Sequence, residues 1–125
     1  MSHITKLKTK IQDREYLLKA LDSLGIIYRI GPEIITSFYG ERRLAEIILP
    51  TKNEKYSIGL VKNGDTYELI ADWFGIKEFT AEELLGKIAQ RYSYMVVTEK
   101  LAESGFEITS QDIDAQNQIR ITLKR

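Results

Sequence analysis

No cysteine occurs in the 125 residues. That one absence excludes disulfides, thiolate nucleophiles, iron–sulfur ligation and cysteine zinc sites. Histidine is represented only by His3, which at a terminus cannot by itself assemble a His-centred triad or a His-rich metal site. It reads as a solvated residue or as one tucked against the start of a sheet. Neither sign of charge dominates, since Lys plus Arg and Asp plus Glu are 18 each. No global field therefore draws the chain to nucleic acid, an anionic membrane or an acidic substrate, and a charge-driven partner must meet a local patch. The eight glycines are scattered and form neither Gly-x-Gly-x-x-Gly nor a Walker pattern, which excludes nucleotide binding by those routes. No run approaches the ~20 apolar residues of a membrane span, and the N-terminus lacks a signal-like apolar core. We expect a soluble protein with no bound metal or cofactor and no membrane partner.

What is present suffices for one core. Hydrophobic residues make up 43% and charged residues 29%, as in ordinary globular proteins, and the length suits a single domain over residues 1–125.

Residues Ile4 to Ile11 alternate, with Thr5, Leu7, Thr9 and Ile11 toward the core. Asp13 stands where an N-cap belongs. Leu17, Leu18, Leu21 and Leu24 then follow at helical spacing, and Gly25 suits the left-handed residue past the last turn, so a helix is expected over Arg14 to Leu24. Two short β runs, Ile26 to Ile30 and Glu33 to Tyr39, are separated by turn chemistry at Gly31-Pro32. A third, Arg43 to Leu49, ends at Pro50.

Asn63-Gly64 is a strong hairpin signal. With those two residues at the centre of the turn, Leu60 meets Tyr67, Ile58 meets Leu69 and Tyr56 meets Ala71, all on one face. Gly59 then meets Glu68, Ser57 meets Ile70 and Lys55 meets Asp72 on the other. Thr80 and Glu83 form a capping box that opens a long helix with the seam Leu84, Leu85, Ile88, Tyr92, Met95 and Val96, closed by Gly105. Two last strands, Phe106 to Gln111 and Gln118 to Lys124, flank the loop Asp112 to Asn117. Ile119, Ile121 and Leu123 should point inward. The order favours an α+β fold with one mostly antiparallel sheet and two helices on one face, a decorated ferredoxin-like arrangement being one form of it.

Three constellations could carry chemistry. Glu68 and Asp72 share the outer face of a strand but lie ~13 Å apart at ~3.3 Å per residue, too far for a carboxylate dyad. A glycine opposite Glu68 leaves a notch for a ligand or another backbone, and the plain alternative is a solvated face. Glu99 projects within ~20° of Ile88 on the long helix, at ~100° per residue, so it must be paired or lie where the helix leaves the core. Arg91 borders the same seam. Gln90, Val97 and Leu101 fall on the far side, which suggests a second buried face or an oligomer contact. Lys6, Lys8 and Lys10 form a stripe that could track phosphates or, more simply, guard a sheet edge.

Met1-Ser2-His3 with Thr9, Tyr56-x-Ile58-Gly59 followed by Asn63-Gly64, Tyr67 to Asp72, Gln90-Arg91-Tyr92-Ser93-Tyr94, and Gly105-Phe106 together resemble the hypothetical chloroplast reading frame thirty-five family over the whole chain. That family is one of unknown function, found in algal plastids, cyanobacteria and some other bacteria. Ile4 departs from an expected aromatic, and Met95 stands where relatives are often polar. The resemblance implies a plastid-stromal or bacterial-cytoplasmic protein with no assigned activity or catalytic residues, and it puts Glu68, Asp72, Arg91, Tyr94 and Glu99 in recurring motifs.

With no nucleophile, metal set or cofactor loop, the sequence favours a non-catalytic accessory or adaptor acting through a protein partner or as a homo-oligomer. One alternative is an RNA- or nucleotide-related module using the lysine stripe. Another is a small-ligand binder or enzyme in which Glu68, Arg91, Tyr94 and Glu99 converge.

Overall fold

The computed structural model describes residues 3–113 and 118–124. Met1, Ser2, residues 114–117 of the closing loop and Arg125 lie outside them. Strand β1 (Thr5–Lys8) is followed by helix α1 (Arg14–Ser23), β2 (Arg29–Thr36), β3 (Arg42–Leu49), β4 (Ile58–Asn63) and β5 (Thr66–Ala71). A 3₁₀ turn (Trp73–Gly75), helix α2 (Ala81–Glu103), β6 (Glu107–Ile113) and β7 (Ile119–Lys124) complete the chain.

The helix ends follow their local signals. The Asp13 carboxylate accepts from the amides of Glu15 and Tyr16, and Gly25 takes a φ of 71° past the end of α1. At α2 the Thr80 hydroxyl accepts from the Glu83 amide. The Glu83 carboxylate reaches back to the Thr80 hydroxyl at 3.1 Å rather than to the backbone amide expected of a capping box.

The fold is α+β, with a five-stranded sheet in the order β1-β5-β4-β3-β2. Every pairing is antiparallel, and the order is a four-strand meander with β1 added beside β5, whereas the ferredoxin-like form would return the strand after the second helix to the same sheet. Strands β6 and β7 pair only with each other as a separate ribbon. Ile121 is half-buried and Leu123 38% exposed, less buried than the alternation implied, while the side chain of Ile119 lies outside the described residues.

The hairpin register also needs correcting. Leu60 pairs with Leu69, Gly59 with Ile70, Val61 with Glu68 and Asn63 with Thr66, which puts Gly64 and Asp65 in the turn. Gly64 carries the positive φ of 68° that such a turn requires at its first central position. The shift of two residues leaves each side chain on the face first assigned to it, because the side-chain period in a strand is two. Gly31-Pro32 likewise lies inside one strand, β2, where the ladder with β3 slips between Ile30 and Glu33.

The two faces of the sheet are covered differently. On the front, Ile47, Leu49, Ile58, Leu60, Tyr67, Leu69 and Ala71 pack with Leu17 and Leu21 of α1 and Leu84 and Ile88 of α2. The Tyr92 hydroxyl extends that contact by accepting from the amides of Gln12 and Asp13 at 3.3 and 3.0 Å. The back is covered by the outer part of the β2–β3 hairpin, hereafter the arm.

Strand β3 pairs with β4 only over Ile47 to Leu49. At the next step the Glu46 carboxylate accepts from the Lys62 amide at 2.7 Å, supplying a bond to that amide where the ladder stops. Beyond Glu46 the arm folds over the back, where Ile35 and Ala45 pack with Ile48 and Ile70. A Cβ built on Gly59 would lie 2.6 Å from the Ala45 Cβ and 2.9 Å from Ile35 Cγ1. The notch at Gly59 is therefore real, but it faces Ile70 across the strands and is filled by the arm.

Candidate functional site

Glu68 and Asp72 lie on the back of β5 as the alternation required, yet that face is not solvated. Their residues are 5% and 1% exposed. Glu68 sits between Val61 and Lys8 in the register. Asp72 acts as a clamp: its Oδ2 accepts from the Phe38 amide at 2.8 Å and its Oδ1 from the Phe74 amide at 3.2 Å. A buried carboxylate that satisfies two backbone donors ties the tip of the arm to the 3₁₀ turn after β5. The tip is further held where the Ile4 amide donates to Glu41 at 2.8 Å.

Arg91, Tyr94 and Glu99 lie on α2, on the other side of the sheet. The Arg91 guanidinium stands 5.4 Å from the centre of the Tyr94 ring. Glu99 reaches α1 instead, 3.6 Å from Lys19 Nζ, and it hydrogen-bonds the Tyr16 phenol. That bond, with desolvation and the neighbouring carboxylates, pushes the Tyr16 pKa up to about 12. The sheet thus stands between Glu68 and the α2 group, so the four residues proposed to form a ligand site do not meet. The far side of α2 borders the ribbon, where Tyr94 and Val97 share an open recess with Gln118 and Ile121.

Lys6, Lys8 and Lys10 are exposed, and β1 is an edge strand. Lys6 and Lys8 face the back, opposite Ile70 and Glu68. The single histidine, His3, is exposed with its ring 5.5 Å from that of Tyr39. Among the described residues no three His, Asp or Glu side chains gather as a metal site.

Sequence reasoning missed the clamp's consequence. By fixing the amides of Phe38, 34 residues before it, and Phe74, two residues after it, Asp72 brings two aromatic residues from separate turns to one groove of about 700 Å³. Both are exposed, at 64% and 65%. Lys52, Lys55 and Lys77 line the same groove. The available signal was aromatic residues placed in turns, Phe38-Tyr39-Gly40 and Asp72-Trp73-Phe74-Gly75, where no strand pattern accounts for them.

The family described as "Protein of unknown function (DUF1257)" matches residues 20–122. The protein named "Uncharacterized protein ycf35" of Cyanophora paradoxa is 34% identical over 126 residues, covering 100% of this chain and 98% of the relative. Proteins of the same name in Guillardia theta and Pyropia yezoensis are 32% and 30% identical, with the same coverage. No solved structure gives a significant match.

Proposed function

Because the chain belongs to the DUF1257 family of proteins of unknown function, with relatives that align along nearly its whole length, we propose that it is a non-catalytic accessory protein working through protein–protein contacts. It acts as one domain, in the plastid stroma or the bacterial cytoplasm. The observation that carries this reading is the apolar outer surface of the arm. Ile34 and Leu44 are 49% and 60% exposed and are direct cross-strand neighbours. A side-by-side apolar pair on a hairpin that includes the sheet-edge strand β2 has the character of a contact surface rather than of isolated exposed residues. Among the described residues no helix is long and apolar enough to cross a membrane.

The test compares wild type with an Ile34→Ser, Leu44→Ser double variant by light scattering and by cross-linked pull-down from the native host. The reading expects an assembly or a defined partner that the double variant loses. A wild-type monomer at high concentration, with no protein captured in a manner dependent on these two side chains, would overturn it.

A further inference from the structure

We infer that the groove between Phe38 and Phe74 is a binding site for single-stranded nucleic acid, the two rings stacking on bases and Lys52, Lys55 and Lys77 meeting phosphates. This site lies at the tip of the arm and does not depend on the protein-contact reading of the arm's outer surface.

The lining supports an occupant that is both flat and anionic. It contains no aliphatic side chain: its apolar part is Phe38, Phe74 and Tyr56. The Tyr56 ring lies so close over Gly75 that a Cβ there would come within 2.3 to 2.7 Å of ring atoms. An aliphatic anchor from a protein partner would find ring surface but no matching pocket, whereas a base can stack on a ring whatever its identity. Among the described residues none of the three lysine ammonium groups forms an ion pair within 4.0 Å, although the Lys52 charge acts on the Glu78 carboxylate. Lys77 Nζ stands 5.1 Å from the centre of the Phe74 ring, so cation and stacking surface are side by side.

Two acidic residues share the groove. The Glu78 carboxylate accepts from the amides of Lys52 at 2.8 Å and Lys77 at 3.3 Å, and these bonds with the Lys52 charge hold its pKa below the usual carboxylate value, so it stays anionic and offsets part of the lysines' field. Glu54 is exposed and opposes a phosphate. Asp72 is a positioning residue here, holding both ring-bearing turns without touching the ligand.

The probe is a fluorescein-labelled 12-nucleotide oligouridylate, followed by anisotropy at 50 mM salt and through a salt series. Wild type should bind it, with log affinity falling against log salt at a slope of about −2, as three phosphate contacts at ~0.7 each require. Phe38→Ala and Phe74→Ala should each weaken binding about fivefold or more. The triple variant Lys52→Gln, Lys55→Gln, Lys77→Gln should flatten the salt slope, and Glu54→Gln should tighten binding. All these side chains are exposed, so unchanged thermal melting keeps a binding loss separate from a folding loss. Binding of the 12-base-pair RNA duplex should be weaker than that of the single strand. The proposal is overturned if wild type does not bind the oligomer, or if binding survives both phenylalanine substitutions. It is also overturned if binding is lost only on replacing Lys6, Lys8 and Lys10, or if an acidic polypeptide such as polyglutamate binds the groove while the RNA does not.

Discussion

The front and back of the central sheet are both buried, but by different means. The front packs against two helices through a broad apolar core that includes Leu17, Leu21, Leu69, Leu84 and Ile88. On the back, a small core of Ile35, Ala45, Ile48 and Ile70 lies beneath the arm, with carboxylates of Glu46, Glu41 and Asp72 bonding backbone amides around it. Apolar area stabilises the front without regard to direction, whereas directional bonds at the back decide where the arm ends. Directional bonds can therefore fix the position of the exposed Phe38 ring at the tip of the arm.

The largest expected effect lies on the front. Leu69→Ala removes a fully buried side chain and should cost about 2–5 kcal/mol. In denaturant titrations with hydrogen exchange, the most protected amides of both faces should lose stability together. A loss confined to β5 would break the picture of one continuous front core.

Gly59→Val probes the back. The added carbons meet Ala45 and Ile35, and the overpacking should cost about 1–3 kcal/mol. Exchange should accelerate most in the arm, at residues 33–45, while the helices stay protected. Equal acceleration in α1 and α2 would show that the faces are not separable.

Asp72→Ala should cost about 1–2 kcal/mol by removing an N-cap acceptor and the bond to the arm tip. Its diagnostic sign is faster exchange of the Phe38 and Phe74 amides together, since one carboxylate holds both.

Much of the front could be read directly from the residues. The caps at Asp13, Thr80 and Gly25 and the seam of α1 each rest on a local rule whose partners lie within a turn or two. The β4–β5 hairpin exposes the limit of that reasoning: its faces were correct although its register was displaced by two, because an even slip leaves the alternation intact. The back depended on long-range facts. Strand β3 reads as one continuous run, and nothing in Arg43 to Leu49 announces that Glu46 substitutes for the ladder and lets the arm turn away. Glu68 and Asp72 were assigned to their actual face, but burial by a remote hairpin is not written in their spacing. Phe38 and Phe74 meet only because Asp72 joins segments distant in sequence.

The smallest effect concerns the contact between the helices on the front. The Tyr16 phenol has its pKa raised from 10.0 to about 12, chiefly by its hydrogen bond to Glu99. The neutral phenol is thus favoured in the folded chain. The stability linked to it is fully present below pH 10 and is lost as pH rises from 10 toward 12. Glu99→Gln should bring the Tyr16 titration, followed by its phenolate absorbance, back toward 10 and leave stability at neutral pH nearly unchanged. An unaltered titration in that variant would detach Glu99 from α1.

The arm's position over the back of the sheet underlies both the clamp and the groove, and a nuclear Overhauser measurement between the Ala45 methyl and the Gly59 α-protons tests it most directly. The structure predicts a strong cross-peak, accompanied by one between Ile35 and Ile70. No cross-peak at Gly59, with the Ala45 methyl open to solvent, would contradict the account.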